Sequence, residues 1–221
     1  MAPNSVLAPP MPEPLTKAVS DVLVLEEGEN VPEDVVIWRL SVEQYHAIAA
    51  AGILEDDDPV ELLEGLLVYK MTKNPPHSVT TQLVQAAFQR ILPNGWHIRV
   101  QEPVTLADSE PEPDIMLVVG DIRHYSTRHP GPQDVGLVVE VADATLQRDR
   151  GSKKRVYARA GIAVYWVVNL MEKRIEVFTN PSGGARKADY QTEQTYALDA
   201  EVPVVIDDVV IARLAVRELL P

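Results

Sequence analysis

Two acids and an amine carry the chemistry that this sequence can support. Asp114 opens the run Ile115-Met116-Leu117-Val118-Val119, and Glu140 sits near the end of Leu137-Val138-Val139-Glu140-Val141. Both runs are rich in β-branched and aliphatic residues and read as strands, each with one carboxylate where an apolar residue is expected. A charge inside a buried strand is costly unless it is paired or binds a cation. Two acids on neighbouring strands also repel each other unless a metal ion neutralises them. Asp149, Lys153 and Tyr157 follow at i, i+4 and i+8 on a basic helix, roughly on one face. The expected layout is two acids at a sheet edge facing one lysine. All-oxygen ligands would select Mg²⁺ or Mn²⁺ over zinc.

Each of these residues also has a plainer reading. Asp114 can cap a loop, and Glu140 can pair with a nearby arginine. Asp149 and Lys153 can form an ordinary helical ion pair worth only about 0.2–0.5 kcal/mol, with Tyr157 packing beside them. Glu61 and Glu64 flank a predicted hairpin, where Glu64 serves the turn and Glu61 reaches the metal site if it faces the sheet edge. His77, near a helix start, can be a general base, a phosphate contact or simply a cap. His46, His97, His124 and His129 lack a spacing such as H-x-x-x-H. There is no Gly-rich phosphate loop and no Gly-x-Ser-x-Gly elbow.

The elements that must position these groups follow from periodicity and turn residues. Ser41 and Gln44 form a capping-box pattern for a helix to about Ala51, stopped by Gly52. Residues 60–69 read as two strands about a Glu64-Gly65 turn. An amphipathic helix of about 77–92 carries Val79, Leu83, Val84, Ala87, Phe88 and Ile91 at helical spacing. A strand is expected over Trp96–Leu106, then the two acid-bearing strands, separated by a loop over 121–134. The basic helix spans 151–160 and ends at Gly161. Strands are expected over Ile162–Leu170, Arg174–Phe178, Tyr190–Leu198 and within Val204–Ile211, with a small helix from about Ala212. This order predicts an α+β or α/β domain with a mixed central sheet.

At 221 residues, one domain over 31–221 is expected after a flexible Pro-rich and acidic arm over 1–30. The absence of cysteine excludes disulfides, thiolate metal sites and cysteine nucleophiles. The N-terminal stretch lacks a basic region and a long apolar core, and no apolar run approaches a membrane span, so a cytoplasmic protein is expected. The net charge of −13 argues against a generic nucleic-acid coating protein, but it does not exclude nucleic acid as a substrate. The bases cluster at Arg148, Arg150, Lys153, Lys154, Arg155 and Arg159, beside the proposed site.

Taken together, Glu112-Pro113-Asp114, Leu137 to Asp143, Asp149-Arg150-Gly151-Ser152-Lys153, Tyr157 to Ile162 and Tyr165-Trp166-Val167-Val168 resemble the Uma-two-type restriction endonuclease family of the PD-(D/E)XK nuclease superfamily. Glu61-Leu62-Leu63-Glu64-Gly65, His77 and Gln101-Glu102-Pro103 fit the same pattern, and the resemblance covers about residues 38–215. It implies a restriction-endonuclease-like mixed sheet flanked by helices, and a Mg²⁺-dependent (or Mn²⁺-dependent) endonuclease acting on DNA. Asp114 and Glu140 would hold the metal with the backbone carbonyl of Val141, and Glu61 would match the early acid. The superfamily lysine normally lies two residues after the acid, where this chain has Ala142. Lys153 takes the matching place on the following helix, with Lys154 as the nearby alternative. Gln101 and Tyr157 would complete the polar wall, with His77 in support. Arg148, Arg150, Lys154 and Arg155 would receive the nucleic-acid backbone. A homodimer is expected for cutting two strands. The competing expectation is a catalytically inactive nucleic-acid- or protein-binding member of the same fold.

Overall fold

The computed structural model describes residues 36–55, 57–184 and 187–221, so the expected arm over 1–30 lies outside the described residues. The chain divides into Met1–Trp38 and Arg39–Pro221, and the elements below all belong to the second unit. Helix α1 spans Val42–Ala50 with the expected capping box: the Ser41 hydroxyl accepts from the Gln44 N–H, and the Gln44 side chain accepts from the Ser41 N–H. Strands β1 (Val60–Leu63) and β2 (Leu66–Tyr69) form an antiparallel hairpin. Its turn places Glu64 at φ +50° and Gly65 at φ +77°.

A six-stranded sheet forms the centre, in the order β3-β4-β5-β6-β7-β8. The strands are β3 (Trp96–Val100), β4 (Ile115–Val119), β5 (Val135–Ala142), β6 (Val164–Asn169), β7 (Arg174–Pro181) and β8 (Tyr190–Ala197). All neighbours are antiparallel except β5 and β6, which are parallel and therefore need a helical crossover between them. A second hairpin pairs β9 (Glu201–Ile206) with β10 (Val209–Ala215).

Alternation along β4 and β5 sorts the core into two layers. Ile115, Leu117, Leu137, Val139 and Val141 face helix α2 (Pro75–Ile91) through Val84, Ala87 and Phe88, together with the β9–β10 hairpin. Met116, Val118, Val138 and Ala142 face the crossover helix α4 (Lys154–Ala160) through Val156, Tyr157 and Ala158. Each fully buried large apolar side chain contributes roughly 1.5–3 kcal/mol.

Several predicted boundaries move, each for a local reason. Helix α2 begins at Pro75, because the Asn74 side chain caps the His77 N–H and the two prolines occupy positions that need no donor. Strand β3 stops at Val100, since Gln101 adopts φ +56° and turns its N–H to Pro113. Strand β10 continues through Ala215 by accommodating a bulge between Val210 and Ala212, and only a 3₁₀ turn, Val216–Glu218, stands where a small helix was expected. The basic helix starts earlier, as α3 (Leu146–Arg148), a π-helical turn (Asp149–Lys153) and then α4. The acids do not lie at a sheet edge: β4 and β5 are interior strands, and Asp114 and Glu140 stand at their ends.

Candidate active site

Antiparallel pairing sets Ile115 against Val139, and continuing that register by one residue brings Asp114, just before β4, beside Glu140. Glu140 alternates with Val138 and Ala142, and Asp114 with Met116, so both acids emerge on the α4 side of the sheet. Asp114 Oδ2 accepts the Val141 N–H at 2.8 Å and lies 3.2 Å from His77 Nε2, while Oδ1 accepts from Gln101 Nε2 at 3.2 Å. Glu140 Oε1 accepts from Lys153 Nζ at 2.9 Å and from the Tyr157 hydroxyl at 2.7 Å. Lys153 Nζ also lies 3.4 Å from Glu61 Oε1, and the Glu112 N–H donates to Glu61 Oε2 at 3.1 Å. All of the residues in these contacts except Tyr157 line a cavity of about 80 Å³ together with Lys70, Met71, Lys73, Arg148 and Asp149.

The π turn explains how one helix delivers three polar groups to a single line. Eight residues overshoot two α-helical turns of about 3.6 residues each. A wider i→i+5 turn between Asp149 and Lys153 takes up the surplus, which keeps Asp149, Lys153 and Tyr157 aligned. All three are buried. Asp149 is therefore not a surface partner of Lys153: it lines the cavity and accepts from the Thr145 hydroxyl at 2.6 Å. Its in-phase spacing with Lys153 and Tyr157 was the available signal. Lys70, paired with Glu112 at 2.9 Å on the cavity wall, carried no comparable signal in the sequence, and Glu112 entered only as part of Glu112-Pro113-Asp114.

Charge decides what this cavity is suited to hold. Glu61, Asp114, Glu140 and Asp149 are 2, 7, 3 and 2% exposed, against one buried ammonium, Lys153. Each ionised buried carboxylate costs several kcal/mol to desolvate, and Lys153 is the one buried cation among them, with Lys70, Lys73 and Arg148 reaching the cavity from less buried positions. Burial pushes Glu140 up to about 8, with Asp149, Asp114 and Glu61 adding to the rise and Lys153 opposing it. Burial likewise raises Asp149 to about 6. Burial depresses Lys153, but Glu140, Glu61 and Asp149 outweigh it and hold the ammonium firmly charged. Burial also works to raise Asp114, yet the His77 contact, the Val141 N–H and Lys153 bring its carboxyl below the ordinary range.

Among the described residues, no three acidic, histidine or cysteine side chains stand ready-made around one metal position. The donor chemistry nonetheless fits a hard divalent cation, through the carboxylates of Asp114 and Glu140 and an excess of negative charge that such an ion would relieve. Both hydrogen bonds to Glu140 fall on Oε1, which leaves Oε2 without a donor among the described residues.

The basic residues expected to meet a phosphate backbone are distributed differently. Arg155 forms a two-point contact with Glu64 at 2.9 and 2.8 Å, joined by Arg159. Arg150 is held by the fully buried Glu176, and Lys154 Nζ lies 2.9 Å from Asp189. Arg148 lines the cavity and donates to the Tyr69 carbonyl at 2.7 Å. Glu64 thus serves both the hairpin turn and the tie from that hairpin to α4.

A mixed sheet with acids at the ends of adjacent central strands, and an amine brought back by the parallel crossover, defines a restriction-endonuclease-like α+β protein. Within that class the chain belongs to the Uma2 family, described as putative restriction endonucleases, whose model matches residues 42–211. A crystal structure from Anabaena variabilis, described as a putative nuclease belonging to DUF820, shares the fold with a TM-score of 0.61 at 15% identity, covering 81% of this chain and 97% of that one. No curated protein matches the chain. No described helix is long and apolar enough to cross a membrane.

Proposed function

We propose that this chain is a metal-dependent endonuclease that hydrolyses DNA phosphodiester bonds at Asp114, Glu140 and Lys153. One observation carries this reading: two buried carboxylates from neighbouring interior strands lie on one face, with Lys153 Nζ 2.9 Å from Glu140. Asp114 and Glu140, with the Val141 carbonyl, are the groups that would hold Mg²⁺ or Mn²⁺. Such an ion, when bound, supplies a Lewis acid for a phosphate oxygen and lowers the pKa of coordinated water.

The chain's own groups do the rest. Lys153 presents a fixed positive charge where negative charge grows on the phosphate in the transition state. Gln101 and His77 orient Asp114, Tyr157 orients Glu140, and Glu61 holds the lysine from its other side. Asp149 adds a fourth buried acid that strengthens the demand for a cation. We assign the assembly as a two-fold homodimer, which light scattering would read directly.

A second reading, a binding protein without catalysis, draws support from the ion pairs that already engage Arg150, Lys154 and Arg155. The two readings separate in one assay. Supercoiled plasmid incubated with Mg²⁺ or Mn²⁺ should be nicked by the native chain, with activity lost by at least a hundredfold in Asp114→Asn and Glu140→Gln. Equal nicking by both variants would reject the site. DNA binding without any nicking would select the second reading.

A further inference from the structure

Strand β2 leaves the hairpin as a two-stranded edge whose alternate residues face outward. Leu67, Tyr69 and Met71 are 43, 59 and 50% exposed, an unusual apolar stripe on a chain this acidic. The stripe ends at the cavity: Met71 lines it, and the Tyr69 carbonyl accepts from Arg148, which also lines it. Lys70 stands between Tyr69 and Met71, Lys73 follows two residues after Met71, and both lysines contribute to the cavity wall. Lys73 is exposed and has no ion-pair partner among the described residues.

We propose that Tyr69 and Met71 form a stacking platform for an unpaired DNA strand whose phosphate enters the Asp114–Glu140 cavity, so that the substrate class is single-stranded DNA or a frayed strand end. This inference rests on the nuclease reading. Two independent features support it. Aromatic and apolar faces followed by the exposed Lys73 suit a strand with exposed bases and a charged backbone, because every base offers a π-face and every linkage a negative charge. Access to the acids is also narrow. The carboxylates are at most 7% exposed, so a phosphate must turn inward to reach them, which a flexible single strand does with less distortion than a stiff duplex. Lys73 meets the backbone outside the cavity, and Tyr69 takes the neighbouring base.

The test uses the full chain with Ca²⁺ as the divalent ion. Fluorescence anisotropy compares a labelled mixed-sequence single strand with the same strand annealed to its complement. Cleavage of both is followed separately with Mn²⁺. The single strand should bind and be cut more readily. Tyr69→Ala should weaken single-strand binding roughly tenfold, while Tyr69→Phe retains it and melting temperatures stay unchanged, since the ring is mostly exposed. Stronger binding and cutting of duplex, indifferent to Tyr69→Ala, would overturn the platform while leaving the nuclease intact. Neither binding nor cleavage of any DNA would overturn both. A fall in molar mass by light scattering on Tyr69→Ala, with DNA binding preserved, would make the stripe a contact between two copies of the chain and likewise overturn the proposal.

Discussion

Glu140 sets the electrostatic character of the site. Its carboxyl has an ordinary unfolded pKa near 4.5 and is raised to about 8 by burial and by the acids around it, and Asp149 rises to about 6. A group raised on folding favours the folded state below its unfolded pKa and loses that contribution as pH climbs through the folded value. Lys153 does not alter the trend in this window, because its ammonium stays charged throughout. The metal-free protein is therefore expected to lose thermal stability as pH rises from about 5 to 8.5, and millimolar Mn²⁺ should restore most of the loss. Scanning fluorimetry across that range checks this, and a melting temperature that climbs with pH without metal would contradict it. The meeting of the two strand carboxylates was legible in the sequence. A carboxylate interrupting each of two apolar strands is a pattern that burial makes expensive, so Asp114 and Glu140 stood out. Glu61 and Asp149 were harder to place, because their roles depend on a hairpin and a helix turn folding back onto those strands.

Among the elements, the β1–β2 hairpin brings Glu61 to Lys153 and Glu64 to Arg155 and Arg159. Gly65 lies at its turn with φ +77°, and an added Cβ would stand 2.6 Å from Arg39 Cβ and 2.9 Å from the Leu40 carbonyl. The first neighbour is close to the backbone and the second is backbone, so neither can swing away. Gly65→Ala is expected to destabilise the domain by about 1–3 kcal/mol, read as a lower denaturation midpoint. An unchanged midpoint would show that the hairpin yields freely. The turn was readable from Glu64-Gly65 alone. The π turn was not, since its wider winding comes from polar side chains sharing one cavity and not from local propensity. Gln101 likewise ended β3 early through a left-handed backbone that its residue type does not announce.

The whole molecule depends on the interior sheet. Trp166 on β6 is fully buried and packs against Phe88 of α2, with ring centroids 5.7 Å apart. Trp166→Ala should lower stability by about 3–5 kcal/mol, seen as a shifted urea midpoint with an unchanged m-value. A smaller loss would mean that the two layers collapse into the gap. One further consequence follows from the amine's position on the crossover, thirteen residues beyond the acid it touches. A text search for an acid followed by lysine two places later passes over this chain, although the two groups meet in space. With the amine on a helix, the strand position two residues after Glu140 is filled by the small, fully buried Ala142, so likeness to this arrangement is better sought in three-dimensional coordinates than in spelling.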